Sequence, residues 1–142
     1  MPVDAKVLSS VPLLANLEPS SLARVAEAMK ERTVAPGTEV VTEGSGGIAF
    51  FVILEGEAEV LMRGEVRRTL GPGDAFGEMA LFDADPPRAA TIRAASELRT
   101  AYLARWEFRP FVLENPAVAW SLLETMAQRL SDAETRAAEA GA

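Results

Sequence analysis

Residues 48–74 read IAFFVILEGEAEVLMRGEVRRTLGPGD, and this stretch decides the fold. Its apolar runs are short and each is cut by glycine. Turn signals recur at the roughly 8–12-residue spacing that marks antiparallel strands closing into a sandwich or barrel. Along EAEVLM (57–62), Ala58 and Val60 alternate with Glu57 and Glu59, one dry face and one wet. The two glutamates therefore read as a solvated strand face rather than an acid–base pair.

The same pattern extends both ways. Upstream, VVTEGSGG begins another strand at Val40; its glycines are followed by no Lys-Ser/Thr and no long helix, so a hairpin turn is expected rather than a phosphate loop. APGTE (35–39) is a turn, and residues 1–32 are expected to be helical: Leu22, Val25 and Met29 recur at helical spacing after the start signal Pro19-Ser20-Ser21. Downstream, ATIRAA and LRTAYLAR read as two more strands, RWEFRPFV (105–112) as a short helical turn. Asn115-Pro116 then opens a long helix, with Asn as N-cap and Pro at its first position. Val118, Leu122, Met126, Leu130, Ala133 and Ala137 form an apolar stripe along it, with Trp120 and Leu123 beside it. The stripe faces either the domain or a second copy of the chain. The polar tail SDAETRAAEAGA is expected to fray unless a partner copy covers it.

Composition excludes several function classes. The 142 residues suit one domain with a real core, 49% of them hydrophobic. No apolar run spans a bilayer and MPVDAKVLSS is no signal peptide, so the expectation is a soluble, cytoplasmic protein without membrane contact. There is no cysteine and no histidine, which removes disulfides, the usual general base and the commonest metal ligand. Metal-dependent enzymes built on similar barrels rely on histidines, so no enzyme and no metal site are expected. A net charge of −7 lacks the basic face that duplex DNA requires.

One segment is not explained by core packing. FGEMALFDADPPRAAT (76–91) sets a glutamate and an arginine among small residues that bury little area but let a backbone approach something closely. Gly71-Pro72-Gly73-Asp74 makes a tight turn before it, and Phe76 is a candidate core anchor. From Gly77 a short helical turn would leave its first N–H groups without internal partners, a natural phosphate cradle. Arg88, placed by the rigid Pro86-Pro87 pair, adds a charge-assisted contact. Glu78 is a poor phosphate neighbour but a good acceptor for a sugar hydroxyl. Phosphate and ribose side by side describe a nucleotide.

On these residues the chain resembles the cyclic nucleotide-binding domain family. GDAFGEMALFDADPPRAATIRA resembles its phosphate-binding cassette, VPLLANLEPSSL its helical entry and NPAVAWSLLETMAQRL its long final helix. The likeness is greatest to sensor domains of bacterial catabolite-activator-type regulators, where six residues likewise separate the cassette leucine (Leu81) from the arginine (Arg88). It implies an α+β, mainly β fold: an antiparallel β-roll or jelly-roll barrel (33–104, cassette 71–91) between N-terminal helices and C-terminal helices from 105 to 142. It assigns backbone contacts to the cyclic phosphate to Gly77, Ala80, Ala89 and Ala90, the phosphate-pairing guanidinium to Arg88, the ribose 2′-hydroxyl to Glu78 and a base or ribose contact to Met79. Ala89 stands where relatives preferring cyclic GMP often carry Thr, which favours cyclic AMP as ligand, with cyclic GMP the alternative.

Two departures qualify the resemblance. No helix-turn-helix follows the long helix, so no direct DNA binding is expected of this chain, and Met1 favours a stand-alone sensor over a fragment. Ala133 and Glu134 occupy helix positions where relatives place hydroxyls against adenine. The implied function is a non-enzymatic cyclic nucleotide receptor without cofactor, signalling through a C-terminal helix that in this family commonly pairs into a homodimer. The alternative is a degenerate scaffold of the same fold that binds no nucleotide.

Overall fold

The computed structural model describes residues 3–41, 49–77 and 90–141. Three short helical elements open the chain: α1 (Ala5–Leu8), a 3₁₀ turn (Pro12–Leu14) and α2 (Pro19–Ala28). Asp4 caps α1 by accepting from the Lys6 backbone N–H at 2.9 Å. Pro19 takes the first position of α2, where its missing N–H costs nothing.

Helix ends at Ala28, earlier than the expected 1–32. Residues Lys30–Val34 form strand β1, the first of eight among the described residues, followed by β2 (Glu39–Val41), β3 (Ala49–Glu55), β4 (Ala58–Met62), β5 (Glu65–Leu70), β6 (Ala75–Phe76), β7 (Thr91–Ala94) and β8 (Leu98–Ala104). They make two antiparallel four-stranded sheets, ordered β1-β8-β3-β6 and β2-β7-β4-β5. The arrangement is a roll of two facing sheets rather than a closed barrel.

Turn chemistry fixes the register. Arg63 and Gly64 both have positive φ, 56° and 80°, the geometry of the two-residue hairpin turn whose twist matches the flanking strands β4 and β5. Gly71-Pro72-Gly73-Asp74 is the expected tight turn. Pro72 presets its first corner, Gly73 takes φ 89°, and Asp74 accepts from the Gly71 N–H at 2.8 Å through its side chain. At Gly56, φ is 91° and an added Cβ would lie 2.2 Å from the Glu97 carbonyl oxygen, so only glycine fits the β3–β4 corner.

Alternation along β3 divides the core. Phe50 and Val52 point towards the helices, where they pack with Leu8, Leu14, Val25, Phe108 and Val118. Phe51 and Ile53 point between the sheets, where they meet Val60, Leu70, Phe76 and Ile92. The first sheet is thus covered on both faces, which is why AFFVI is uninterruptedly apolar. The second sheet is wet outside, and there Glu59 pairs with Arg93 at 3.0 Å as the alternation of AEVLM predicts.

Two helices follow β8. The first, α3 (Arg105–Glu114), is longer than the expected turn; Glu107 accepts from the Ala104 backbone N–H at 3.2 Å at its start. The second, α4 (Pro116–Ala140), begins where the Asn-Pro signal places it, but the Asn115 side chain does not cap it. Its amide donates backwards to the Phe111 carbonyl at 2.9 Å, closing the end of α3. The expected stripe on α4 divides: Val118, Leu122 and Met126 pack on the helix-side core, whereas Leu130 is exposed. The tail expected to fray is helical to Ala140 and exposed along its length.

Candidate functional site at the bridge between the sheets

Residues 77–90 join β6 of the first sheet to β7 of the second. Phe76 pairs with Phe51 in register and their rings stack at 5.0 Å with planes 13° apart, so Phe76 is the core anchor that the sequence suggests. Immediately after it, Gly77 turns the chain at φ 80°, a conformation that resists any side chain. At the other end, Ala90 packs on the inter-sheet cluster and Thr91 enters β7 opposite Leu61. Both anchors of the segment therefore rest on one apolar cluster, although they belong to different sheets.

Of the site residues predicted from sequence, Gly77 and Ala90 lie at these two anchors. Glu78, Met79, Ala80, Arg88 and Ala89 lie outside the described residues, as does the EGSGG hairpin turn. Ala133 and Glu134 are exposed on the distal part of α4.

Two cations of the first sheet are engaged. Arg99 bonds Glu55 at 2.7 Å and also Glu31, tying β8 to β3 and β1; these carboxylates hold its guanidinium above its ordinary range. Lys30 lies 3.0 Å from Glu107, and that hydrogen bond raises the pKa of its ammonium. Among the described residues, no group of acidic side chains is arranged to hold a metal ion, and no helix is long and apolar enough to cross a membrane.

A polar contact escapes sequence reasoning altogether. The Asn16 side-chain amide donates to the hydroxyl of Thr125 at 3.0 Å, joining the segment after the 3₁₀ turn to α4 across 109 residues of chain. Thr125 is 7% exposed. Asn16 itself is exposed, so Asn16→Ala removes a partner without opening a cavity. That variant is expected to lose about 1 kcal/mol in urea denaturation, with the α4 end most affected. An unchanged midpoint would show the bond to be energetically idle.

The comparisons agree with this architecture. The model of the "Cyclic nucleotide-binding domain" family matches residues 31–115, more than half of the chain. A cAMP-dependent protein kinase regulatory subunit from Yarrowia lipolytica is 43% identical over 104 residues, covering 72% of this chain and 28% of that protein. The chain thus spans little more than a quarter of that relative's length. Among solved structures, the N-terminal domain of a transcriptional regulator from Streptomyces coelicolor A3(2) superposes with a TM-score of 0.83 at 31% identity, covering 89% of this chain and 94% of that one. The catabolite activator protein of Thermus thermophilus gives 0.72 at 25% identity, with 92% and 63% covered. A family model spanning both sheets and the segment between them leaves one conclusion: the chain belongs to the cyclic nucleotide-binding domain family.

Proposed function

We propose that the chain is a non-enzymatic cytoplasmic receptor for a cyclic nucleotide, with cyclic AMP the preferred ligand. The observation that carries this reading is the family match across the 77–90 bridge, which is flanked by Phe76 and Ala90 on the cluster between the sheets. In this reading Gly77, Ala80, Ala89 and Ala90 present backbone groups to the cyclic phosphate. Arg88 pairs with its charge, Glu78 accepts from the ribose 2′-hydroxyl, and Met79 lies against base or ribose. Thermal melting with millimolar cyclic AMP and cyclic GMP tests it. A ligand that binds only the folded state raises the melting temperature, by more for cyclic AMP here. No rise with either nucleotide would favour the scaffold alternative, for which the unmatched Ala133 and Glu134 speak.

The output element is α4. Only its first part is buried, through Val118, Leu122 and Thr125, while Trp120, Leu123 and Leu130 are 66%, 61% and 62% exposed. With Ala127 and Ala137 these residues fall on the alternating three- and four-residue spacing of a coiled-coil seam, on a different face from the one that packs inwards. We infer that a second copy of the chain covers this seam. Replacing both Leu123 and Leu130 by Asp should weaken self-association at least about a hundredfold, roughly 3 kcal/mol, in sedimentation equilibrium. A wild-type protein that stays monomeric at high concentration would contradict the pairing.

A further inference from the structure

A cleft of about 330 Å³ lies at the edge of the first sheet, lined by Arg32, Ala49, Phe51, Tyr102, Ala104 and Trp106. Strand register builds it. β1 sets Lys30 opposite Tyr102 and Arg32 opposite Thr100, and β3 sets Phe51 opposite Tyr102 and Ala49 opposite Ala104. Alternation then brings Arg32, Tyr102, Phe51 and both alanines to one face of the sheet. Phe51 and Tyr102, with ring centroids 6.1 Å apart, give an aromatic wall, and Trp106 at the start of α3 is 68% exposed at the rim.

The other cation on this face of β1 is already committed: Lys30 is held by Glu107, whose carboxylate also accepts from the Ala104 backbone. By contrast, the Arg32 guanidinium, the Tyr102 hydroxyl and the Trp106 indole N–H form no hydrogen bond or ion pair with any described residue. Two of these groups can only donate, and the third can donate. A guanidinium beside aromatic faces selects an acceptor-rich anion, and its fork matches a carboxylate. The alanines and Phe51 leave room for a flat apolar body, and the volume suits a small molecule.

We propose that this cleft binds a small aromatic carboxylate, with Arg32 pairing the carboxylate, Tyr102 donating to it, and Trp106 and Phe51 packing on the ring. None of these residues belongs to the proposed nucleotide site, so the two readings stand or fall separately. Trp120→Phe leaves Trp106 as the only tryptophan, and its fluorescence then reports the cleft. Titration with phenylacetate is expected to give a saturable change with a Kd on the order of a millimolar, as a ligand of this size allows. Added to that background, Arg32→Gln should weaken binding at least tenfold; Arg32→Lys, which keeps the charge but loses the fork, should fall between. Phenethylamine, the same ring with a cation, should give no saturable change. Chemical-shift changes at the Ala49 and Ala104 amides should accompany phenylacetate binding. The proposal is overturned by absence of saturation up to about 20 mM phenylacetate, by an Arg32→Gln curve equal to that of its parent, or by equal response to the amine.

Discussion

Arg88→Ala is expected to weaken cyclic AMP binding by about a hundred- to a thousandfold in calorimetric titration. Micromolar affinity corresponds to about 8 kcal/mol, and a hydrogen bond to a charged group contributes roughly 1.5–3 kcal/mol. In the proposed site, a guanidinium pairing with the cyclic phosphate through two parallel bonds would account for about 3–4 kcal/mol, and amides of the segment together with Glu78 and base stacking would supply the rest. The overall charge of −7 changes this little, because charges beyond a Debye length of about 8 Å are screened at physiological salt. Arg88→Lys keeps the charge but not the fork and should fall between wild type and alanine. Equal affinity of the wild-type and Arg88→Ala proteins would remove Arg88 from the site.

The largest stability effect is expected at Phe50, which is 2% exposed where the first sheet meets the helices. Phe50→Ala should cost about 3–5 kcal/mol, because the lost transfer free energy is joined by a cavity that rigid strands cannot collapse. That is a large part of the roughly 5–15 kcal/mol by which folded proteins exceed their unfolded chains. Urea denaturation should show a lower midpoint with an unchanged slope. Trp106→Ala, at an exposed position, should change stability by less than about 0.5 kcal/mol. Comparable losses at the two positions would mean that the helix-side core is not placed as described.

Much of this fold is legible in the sequence, for physical reasons that can be named. β3 to β5 are readable because Gly56, Gly64 and the Gly71-Pro72-Gly73 turn cut the apolar stretch into strand-length pieces, and AFFVI is apolar throughout because both its faces are covered. The start of α4 is readable because Pro116 cannot occupy a helix interior but suits its first position. β1 is not readable. KERTV has no apolar alternation, since Lys30 and Arg32, which share a sheet face with Tyr102 and Thr100, are exposed, and the helical spacing of Leu22, Val25 and Met29 runs directly into it. Misreading that strand also conceals the Arg32 cleft.

The inward face of α4 is legible only in part. A stripe of fourfold spacing does not separate exposed Leu130 from buried Val118 and Leu122, because the 3₁₀ turn and α3 meet only the first turns of the helix. Thr125, buried through a partner 109 positions away, carries no local signal at all. The proposed nucleotide site rests on the small residues and paired prolines of 76–91, because a backbone that must approach a phosphate excludes bulky side chains.

Amide hydrogen exchange with and without saturating cyclic AMP tests the central claim most directly. If the bridge between the two sheets clasps the cyclic phosphate with its backbone, protection should concentrate in peptides spanning residues 77–90, and Arg88→Ala should abolish it at the same nucleotide concentration. Exchange that is unchanged across this segment, or protection confined to another part of the chain, would contradict the account.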